Sequence, residues 1–444
     1  MKIKLIAPHE QRKGFMLSGE TFKLQRLCLP ILASLTPSSH IVKIVDESFA
    51  PDNFDDDVDL VGITVMTELS TRAYQIADQY RHRGVKVVMG GIHPTVLPDE
   101  ALQHADSVVV GEAEDIWPQL LNDASIGKMH KIYTPDKAVD LQSKPIPCRD
   151  LYPNPPPGEY TPFAYSLEAS RGCPYDCEFC TIGTVTGKKY RSRPASEIIA
   201  DIESIDFPYL FFVDDALALN RTNAKMLFSE MIPLKKLWVG QGTATLAEDP
   251  SLLKIMRQAG CKGLLVGFES MQSDAQEGMK KISSMKIDYA EAMRRFHDEG
   301  IAVLGAFVFG FDHEDKNIFE QTLDFSIQTK MDGLQLRILT PFPGTRLYAR
   351  LLSEGRLIIP KWWSRGYSSR NLLFHPKGMD IDTFLEGFAN LQRHAYSYPA
   401  IFRRFWGMSP WKRTALGSRL YAGFNLANRH RYLKNLIDPH LFEE

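Results

Sequence analysis

The sequence predicts an α/β protein built from two parallel-sheet units and a helical region, and three observations carry that expectation. Short apolar runs alternate with amphipathic segments through residues 1–130, and again from Ala164 to about Leu339. Residues 134–162 hold eight prolines and keep neither a helix nor a strand period. Beyond Arg350 the strand-like runs stop while helical spacing continues.

The expected division is residues 1–133, a doubly wound, Rossmann-like domain; 134–162, a stiff proline-rich linker; 163–349, a partial (βα)6 barrel; and 350–444, a mainly helical region. A chain of 444 residues fits about three domains. Its apolar content of 44% can fill several cores, and a net charge of −2 gives no general attraction to nucleic acid. No DNA-reading motif is present. Met1–His9 reads as a first strand rather than a signal peptide, and no apolar run is long enough to span a bilayer. Cys28, Cys148 and Cys261 are scattered, as free thiols of a reducing, cytoplasmic protein would be.

In the first unit, Lys2–Ile6, Ile41–Val45, Leu60–Val65, Val85–Met89 and Ser107–Val110 read as strands. Thr21–Ser34, Leu69–Arg83 and Ala113–Asn122 carry helical spacing. Ligands of such sheets sit beyond the carboxyl ends of the strands, and there this chain places Thr64, Gly90, Gly91, His93, Gly111 and Glu112. No G-x-G-x-x-G is present, so a dinucleotide is not expected. Paired glycines also suit a plain turn.

In the second unit the predicted strands are Tyr165–Ala169, Tyr209–Val213, Leu237–Gly240, Gly263–Phe268, Ala302–Phe309 and Leu334–Ile338. Chemistry in βα barrels gathers where such strands end. After the first comes Cys173-Pro-Tyr-Asp-Cys177-Glu-Phe-Cys180, three of the chain's six cysteines in eight residues. Zinc wants four ligands, usually as two separated pairs, and this C-x3-C-x2-C run has no second pair. Thiolates this close can hold one iron–sulfur cluster from a single loop, leaving one iron open. The other strands end in Asp214-Asp215, Gln241, Glu269-Ser270, Phe309-Gly310 and Thr340, all on the cysteine rim. Taken singly, Asp214 and Asp215 also suit capping of the helix near Asn220, and Glu269 an exposed surface.

Residues 391–444 carry nine Lys/Arg against three Asp/Glu, and four of the six tryptophans (Trp362, Trp363, Trp406, Trp411) follow Arg350. Arginines interleaved with aromatics, as in Ile401–Trp406 and Trp411–Arg413, suit either an anionic membrane surface or a helical subdomain with solvated charges.

The cysteine run resembles the signature of the radical S-adenosylmethionine superfamily. Leu60-Val-Gly-Ile-Thr-Val65, Val87-Val-Met-Gly-Gly-Ile-His-Pro-Thr95 and Val108-Val-Val-Gly-Glu-Ala-Glu114 are similar to the cobalamin-binding domains that precede many of those enzymes. The D-x-H-x-x-G motif that ligates cobalt in many cobalamin proteins is absent; His9 is the nearest substitute, and a solvated loop histidine is the plain alternative. The whole order resembles a subgroup that includes hopanoid and phosphinate methylases and the anaerobic Mg-protoporphyrin cyclase. The resemblance implies a [4Fe-4S] cluster on Cys173, Cys177 and Cys180. It implies S-adenosylmethionine near Phe179, Asp214, Asp215, Gln241, Glu269, Ser270, Phe309 and Thr340, and cobalamin near Thr64, Gly90, Gly91, His93, Gly111 and Glu112. The implied reaction begins with a 5′-deoxyadenosyl radical and ends with methylation of an unactivated carbon, or alternatively with cyclisation, rearrangement or oxidation. The implied partners are a small-molecule or lipid substrate and a flavodoxin- or ferredoxin-type electron donor. Methylthiotransferases carry a second cluster on N-terminal cysteines, and Cys28 alone does not supply one. A non-catalytic cobalamin or redox sensor would not need the intact cysteine run.

Overall fold

A computed structural model describes residues 1–9, 23–153, 163–272, 288–406 and 414–434; the prolines at 155–157 and the Trp411–Arg413 run lie outside them. The first sheet begins with β1 (Lys2–Ala7), which is covered on both faces as a central parallel strand must be. Ile3, Leu5 and Ala7 enter one core and Ile6 the other. Lys4 is buried as well, with Nζ 2.8 Å from Asp52, 2.6 Å from Asp56 and 2.7 Å from the Tyr80 hydroxyl.

The chain then leaves this sheet. β2 (Lys23–Leu24) pairs, parallel, with Phe163–Ala164 of the second sheet. The helix expected over Thr21–Ser34 therefore begins only at Cys28 and runs to Ser34. The first sheet continues with β3 (Ile41–Asp46), β4 (Leu60–Thr64), β5 (Lys86–Gly90), β6 (Ser107–Val109) and the unexpected β7 (Ile132–Tyr133). Its order is β3-β1-β4-β5-β6-β7, all parallel. The order reverses at β1, so the crevice for a ligand opens beyond the ends of β1 and β4. Helix Ser70–His82 covers one face with Ala73, Ile76, Ala77 and Tyr80, one stripe at helical spacing. The segment expected to be helical over Ala113–Asn122 becomes helix at Trp117–Ser125.

The chain between the sheets packs against them: Val139, Leu141 and Tyr152 are buried, and Tyr152 hydrogen-bonds to Asp46. β8 (Phe163–Leu167) opens the second sheet, and a small antiparallel hairpin follows from β9 (Ser170–Arg171) and β10 (Arg191–Ser192). Next come β11 (Tyr209–Phe212), β12 (Leu237–Thr243), β13 (Cys261–Glu269), β14 (Ala302–Phe309) and β15 (Gly333–Ile338). The sheet order is β15-β14-β13-β12-β11-β8-β2, again parallel throughout. The six expected strands are present, and β2 adds a seventh from the first unit.

Burial alternates along β12, β13 and β14. One face of each strand packs under helices: Trp238 stacks on Phe228 at 4.9 Å, and Phe268 meets Tyr289 at 5.0 Å. The other face lines the barrel interior. Curvature brings the last strand's helix, Arg346–Ser353, against the cysteine loop, where the Leu347 N–H donates to the Glu178 carbonyl at 2.9 Å. Helix Ile381–Ala395 lies on helix Ile318–Gln328, and a Cβ at Gly387 would enter the Phe319 ring. Helices Tyr398–Phe405 and Ala415–Lys434 complete the helical region expected beyond Arg350.

Candidate active site

The cysteine loop starts from a turn that only glycine fits. Gly172 has φ +86°, and a Cβ there would stand 2.5 Å from the Lys189 carbonyl oxygen. From it Cys173, Cys177 and Cys180 follow, each half-buried. The loop is held from the far side of the barrel. Arg346 donates to the Asp176 carbonyl at 2.6 Å, and Arg350 lies 2.7 Å from Glu178 and 2.6 Å from Asp312. The Phe179 ring meets Phe311 edge-on at 5.7 Å. Burial pushes the Cys180 thiol up to about 11, with Cys173, Asp215 and Glu269 adding to the shift. Those groups therefore lie near one another. Among the described residues no three Cys, His, Asp or Glu side chains converge tightly enough for one ion. Thiols spread along one loop instead suit a cluster, in which each sulfur takes its own iron.

The two aspartates after β11 diverge. Asp214 is buried, accepts from the Ala169 N–H at 3.1 Å and the Ser170 hydroxyl at 2.5 Å, and is pushed up to about 7 by burial. It pins the chain leaving β8. Asp215 accepts from the Gly172 N–H at 3.3 Å, so it is the member of the pair at the cysteine loop. Neither caps the next helix; Asn220 does, accepting from the Asn223 N–H. Gln241 lies on the inward face of β12. Glu269 ends β13 on the inward face with φ +64°, a conformation costly for a side chain with a Cβ.

Two expected residues point elsewhere. Ser270 is buried and donates to Glu314 at 2.6 Å, while Glu314 also accepts from the Gly310 and Phe311 N–H groups at 2.6 and 3.0 Å. Burial raises Glu314 to about 7. The Phe309 ring stacks on Phe319 at 5.5 Å and meets Phe388 at 5.5 Å in the outer core, which leaves only its backbone on the interior side. Strand parity carried that information, because Val308 and Phe309 must face opposite ways. Thr340 is buried and bonds back to the Ile338 carbonyl at 3.0 Å.

On the first unit, Thr64 ends β4 beside Gly90 of β5. Gly91 has φ +96°, and a Cβ would sit 3.1 Å from the Thr64 hydroxyl. With Gly111, whose N–H bonds to Thr95 at 2.9 Å, these residues leave bare backbone at the strand ends, a cradle suited to a large ligand. The His93 and Glu112 side chains are engaged with other residues of the protein. His93 is fully buried, with Nε2 2.7 Å from the Tyr74 hydroxyl and 3.4 Å from Glu100. Glu100, bonded by His93, Trp363 and Tyr74, is lowered to about 2. Glu112 takes Arg171 and Arg191, each at 2.8 Å, and the Val139 N–H at 2.9 Å. Arg171 also meets Glu114 and Glu168 at 2.7 Å each. His9 donates its backbone N–H to Glu47.

The sequence reading missed Arg171, Arg191, Trp363 and Glu314. The contacts of Arg171 and Arg191 with Glu112, and of Trp363 with Glu100, dock the strand ends of the first sheet onto the second unit. Gly344 completes the closure, with Val96 2.7 Å from where its Cβ would be.

Three family models match the chain: a B12-binding domain over residues 36–121, the radical SAM superfamily over 167–326, and a domain of unknown function over 345–434. The chain is 29% identical over 415 residues to the bacteriochlorophyllide d C-12(1)-methyltransferase of Chlorobaculum tepidum, covering 91% of this chain and 89% of that one. It is 27% identical to the hopanoid C-2 methylase of Rhodopseudomonas palustris, covering 74% and 64%. In fold it is similar to the radical S-adenosylmethionine methyltransferase TsrM of Kitasatospora setae, with a TM-score of 0.72 at 16% identity over 97% and 99% of the two chains.

Proposed function

We propose, for a chain that belongs to the radical S-adenosylmethionine proteins carrying a B12-binding domain, that it methylates an unactivated carbon of a large, mostly apolar small molecule. The observation that carries this reading is the docking of the two strand-end faces through Arg171, Glu112 and Glu114. A methyl donor held on one sheet and a radical source held on the other can then address one substrate between them. Cys173, Cys177 and Cys180 would hold the [4Fe-4S] cluster, and Phe179, Asp215, Gln241 and Glu269 the S-adenosylmethionine. Thr64, Gly90, Gly91 and Gly111 would hold cobalamin mainly through backbone. When bound, these groups supply hydrogen abstraction from an unactivated carbon and a transferable methyl group.

The chain's own contribution is position and exclusion of water. Arg346 and Arg350 fix the cysteine loop, and carboxylates at Asp215 and Glu269 suit an ammonium and a ribose diol. Packed rim loops such as Gly344 against Val96 shield the mouth from solvent. The names of the relatives, a tetrapyrrole and a hopanoid methylase, favour a large ring system as substrate. A flavodoxin- or ferredoxin-type protein would supply electrons.

No helix among the described residues is long and apolar enough to cross a membrane. Peripheral contact is part of the proposal. Tyr398, Phe402 and Trp406 are 63%, 60% and 67% exposed, with Arg403 exposed among them. Such a face suits an anionic lipid surface. Loss of sedimentation with phosphatidylglycerol vesicles in Phe402→Ser/Trp406→Ser would support it; no sedimentation of the unaltered protein would remove it.

Anaerobic reconstitution tests the main reading. Reduced protein with S-adenosylmethionine should form 5′-deoxyadenosine, and S-adenosylhomocysteine should appear as well. A reconstituted protein that yields neither sinks the proposal.

A further inference from the structure

The inward wall of the barrel carries a cation that the proposed cofactor set does not account for. Along β15, Leu334, Leu336 and Ile338 are buried in the outer core. Gln335 and Arg337 therefore face the interior, beside Ala306 and Val308 of β14, their partners in register. Below them the wall is closed, because a Cβ at Gly333 would enter the Phe424 ring. Above them, the helix after β15 touches the cysteine loop. Glu269 lies on the same wall one strand beyond β14, and the helix contact with Glu178 puts the end of this wall beside the cysteine loop.

Arg337 makes no ion pair or side-chain hydrogen bond with the described residues, and neither does Gln335. Other arginines of this rim are matched: Arg171, Arg350 and Arg356 each meet carboxylates. Arg337 is half-buried, always charged, and surrounded on its wall by Leu304, Ala306 and Val308. A half-buried guanidinium in this apolar setting has all of its donors open to a ligand that completes them.

We propose that Arg337, with Gln335 beneath it, is the carboxylate-binding pair of the active site. The guanidinium fork takes both oxygens of a planar carboxylate, and the amide offers a further donor. The carboxylate belongs either to S-adenosylmethionine or to the substrate. Glu269 and Arg337, two strands or roughly 10 Å apart, then present opposite charges to one ligand. This rests on reading the barrel mouth as the S-adenosylmethionine site.

Equilibrium dialysis of reconstituted wild type, Arg337→Gln and Arg337→Lys separates the sources. One arm compares S-adenosylmethionine with its decarboxylated analogue. The other compares mesoporphyrin diacid with its dimethyl ester, a large ring with and without free acids, and needs no cluster. In Arg337→Gln the preference for the acid form should fall about ten- to a hundredfold in one arm, the worth of a charge-assisted hydrogen bond. Affinity for the form lacking the acid should stay constant, and Arg337→Lys should recover part of the loss. A fall in the first arm assigns the cofactor's carboxylate, and a fall in the second the substrate's. Unchanged preference in both arms overturns the proposal. Wild type that keeps its cluster yet binds no S-adenosylmethionine, while the porphyrin preference still falls in the variant, would sink the functional reading and leave the role of Arg337 standing.

Discussion

Arg171 Nη1 lies 2.8 Å from Glu112 Oε1, joining the residue two before the first cysteine to the end of β6 in the other sheet. The side chains are 12% and 6% exposed, so this is a buried pair rather than a surface one. Arg171→Met should cost about 3–5 kcal/mol, because Glu112, Glu114 and Glu168 lose their shared cation in a low-dielectric junction. Chemical denaturation reads the loss. Glu112→Gln should lower stability as well, and a change under about 1 kcal/mol for both would show that the junction does not depend on this pair. The partners hold Glu112 below the usual carboxylate range, so its contribution is present at neutral pH and disappears only under acid.

Gly172→Ala should disturb the cysteine loop without touching a thiol. Positive φ alone costs an alanine about 1–2 kcal/mol, and the Lys189 carbonyl blocks its Cβ. The expected readout is weaker visible absorbance of the reconstituted cluster at unchanged iron supply. Cys177→Ala should abolish both that absorbance and 5′-deoxyadenosine formation. A Cys177→Ala protein that still forms the nucleoside would show that the loop does not generate the radical.

The strands and their common rim were legible because alternation is local: the residue-by-residue alternation of burial along β14 follows directly from the order of its side chains. β2 was not, because two residues become a strand only when an edge far along the chain, Phe163–Ala164, offers them hydrogen bonds. For the same reason Glu112 looked like a ligand contact: a carboxylate after a strand carries no mark of the arginines, 59 and 79 residues away, that neutralise it. Asp214 and Asp215 were both named, yet a turn sends adjacent side chains apart, and only the fold shows which is buried.

Asp214 makes stability depend on pH in a defined direction. Burial raises it from 3.8 to about 7, so between those values the folded protein binds more protons than the unfolded chain. Its contribution is fully present below about pH 4 and is lost as pH rises toward 7. Asp214→Asn keeps an acceptor for Ala169 or Ser170 and cannot ionise. The melting temperature of that variant should fall less steeply than that of wild type between about pH 4 and 7, and identical slopes would remove Asp214 as the source.

Glu269 combines a strained backbone with a place on the inward wall, and the two can be separated by substitution. At φ +64° glycine is unstrained, so Glu269→Gly should relieve about 1 kcal/mol or more of conformational cost, partly offset by the greater entropy of the unfolded chain. Glu269→Gln keeps the strain and removes only the charge. If the side chain holds S-adenosylmethionine, both variants should bind it more weakly, while only the glycine variant matches or exceeds wild type in melting temperature. Such a divergence would mean that the backbone is held in an unfavourable state to aim one carboxylate. Loss of stability in Glu269→Gly with undiminished S-adenosylmethionine affinity would instead make Glu269 a structural tie.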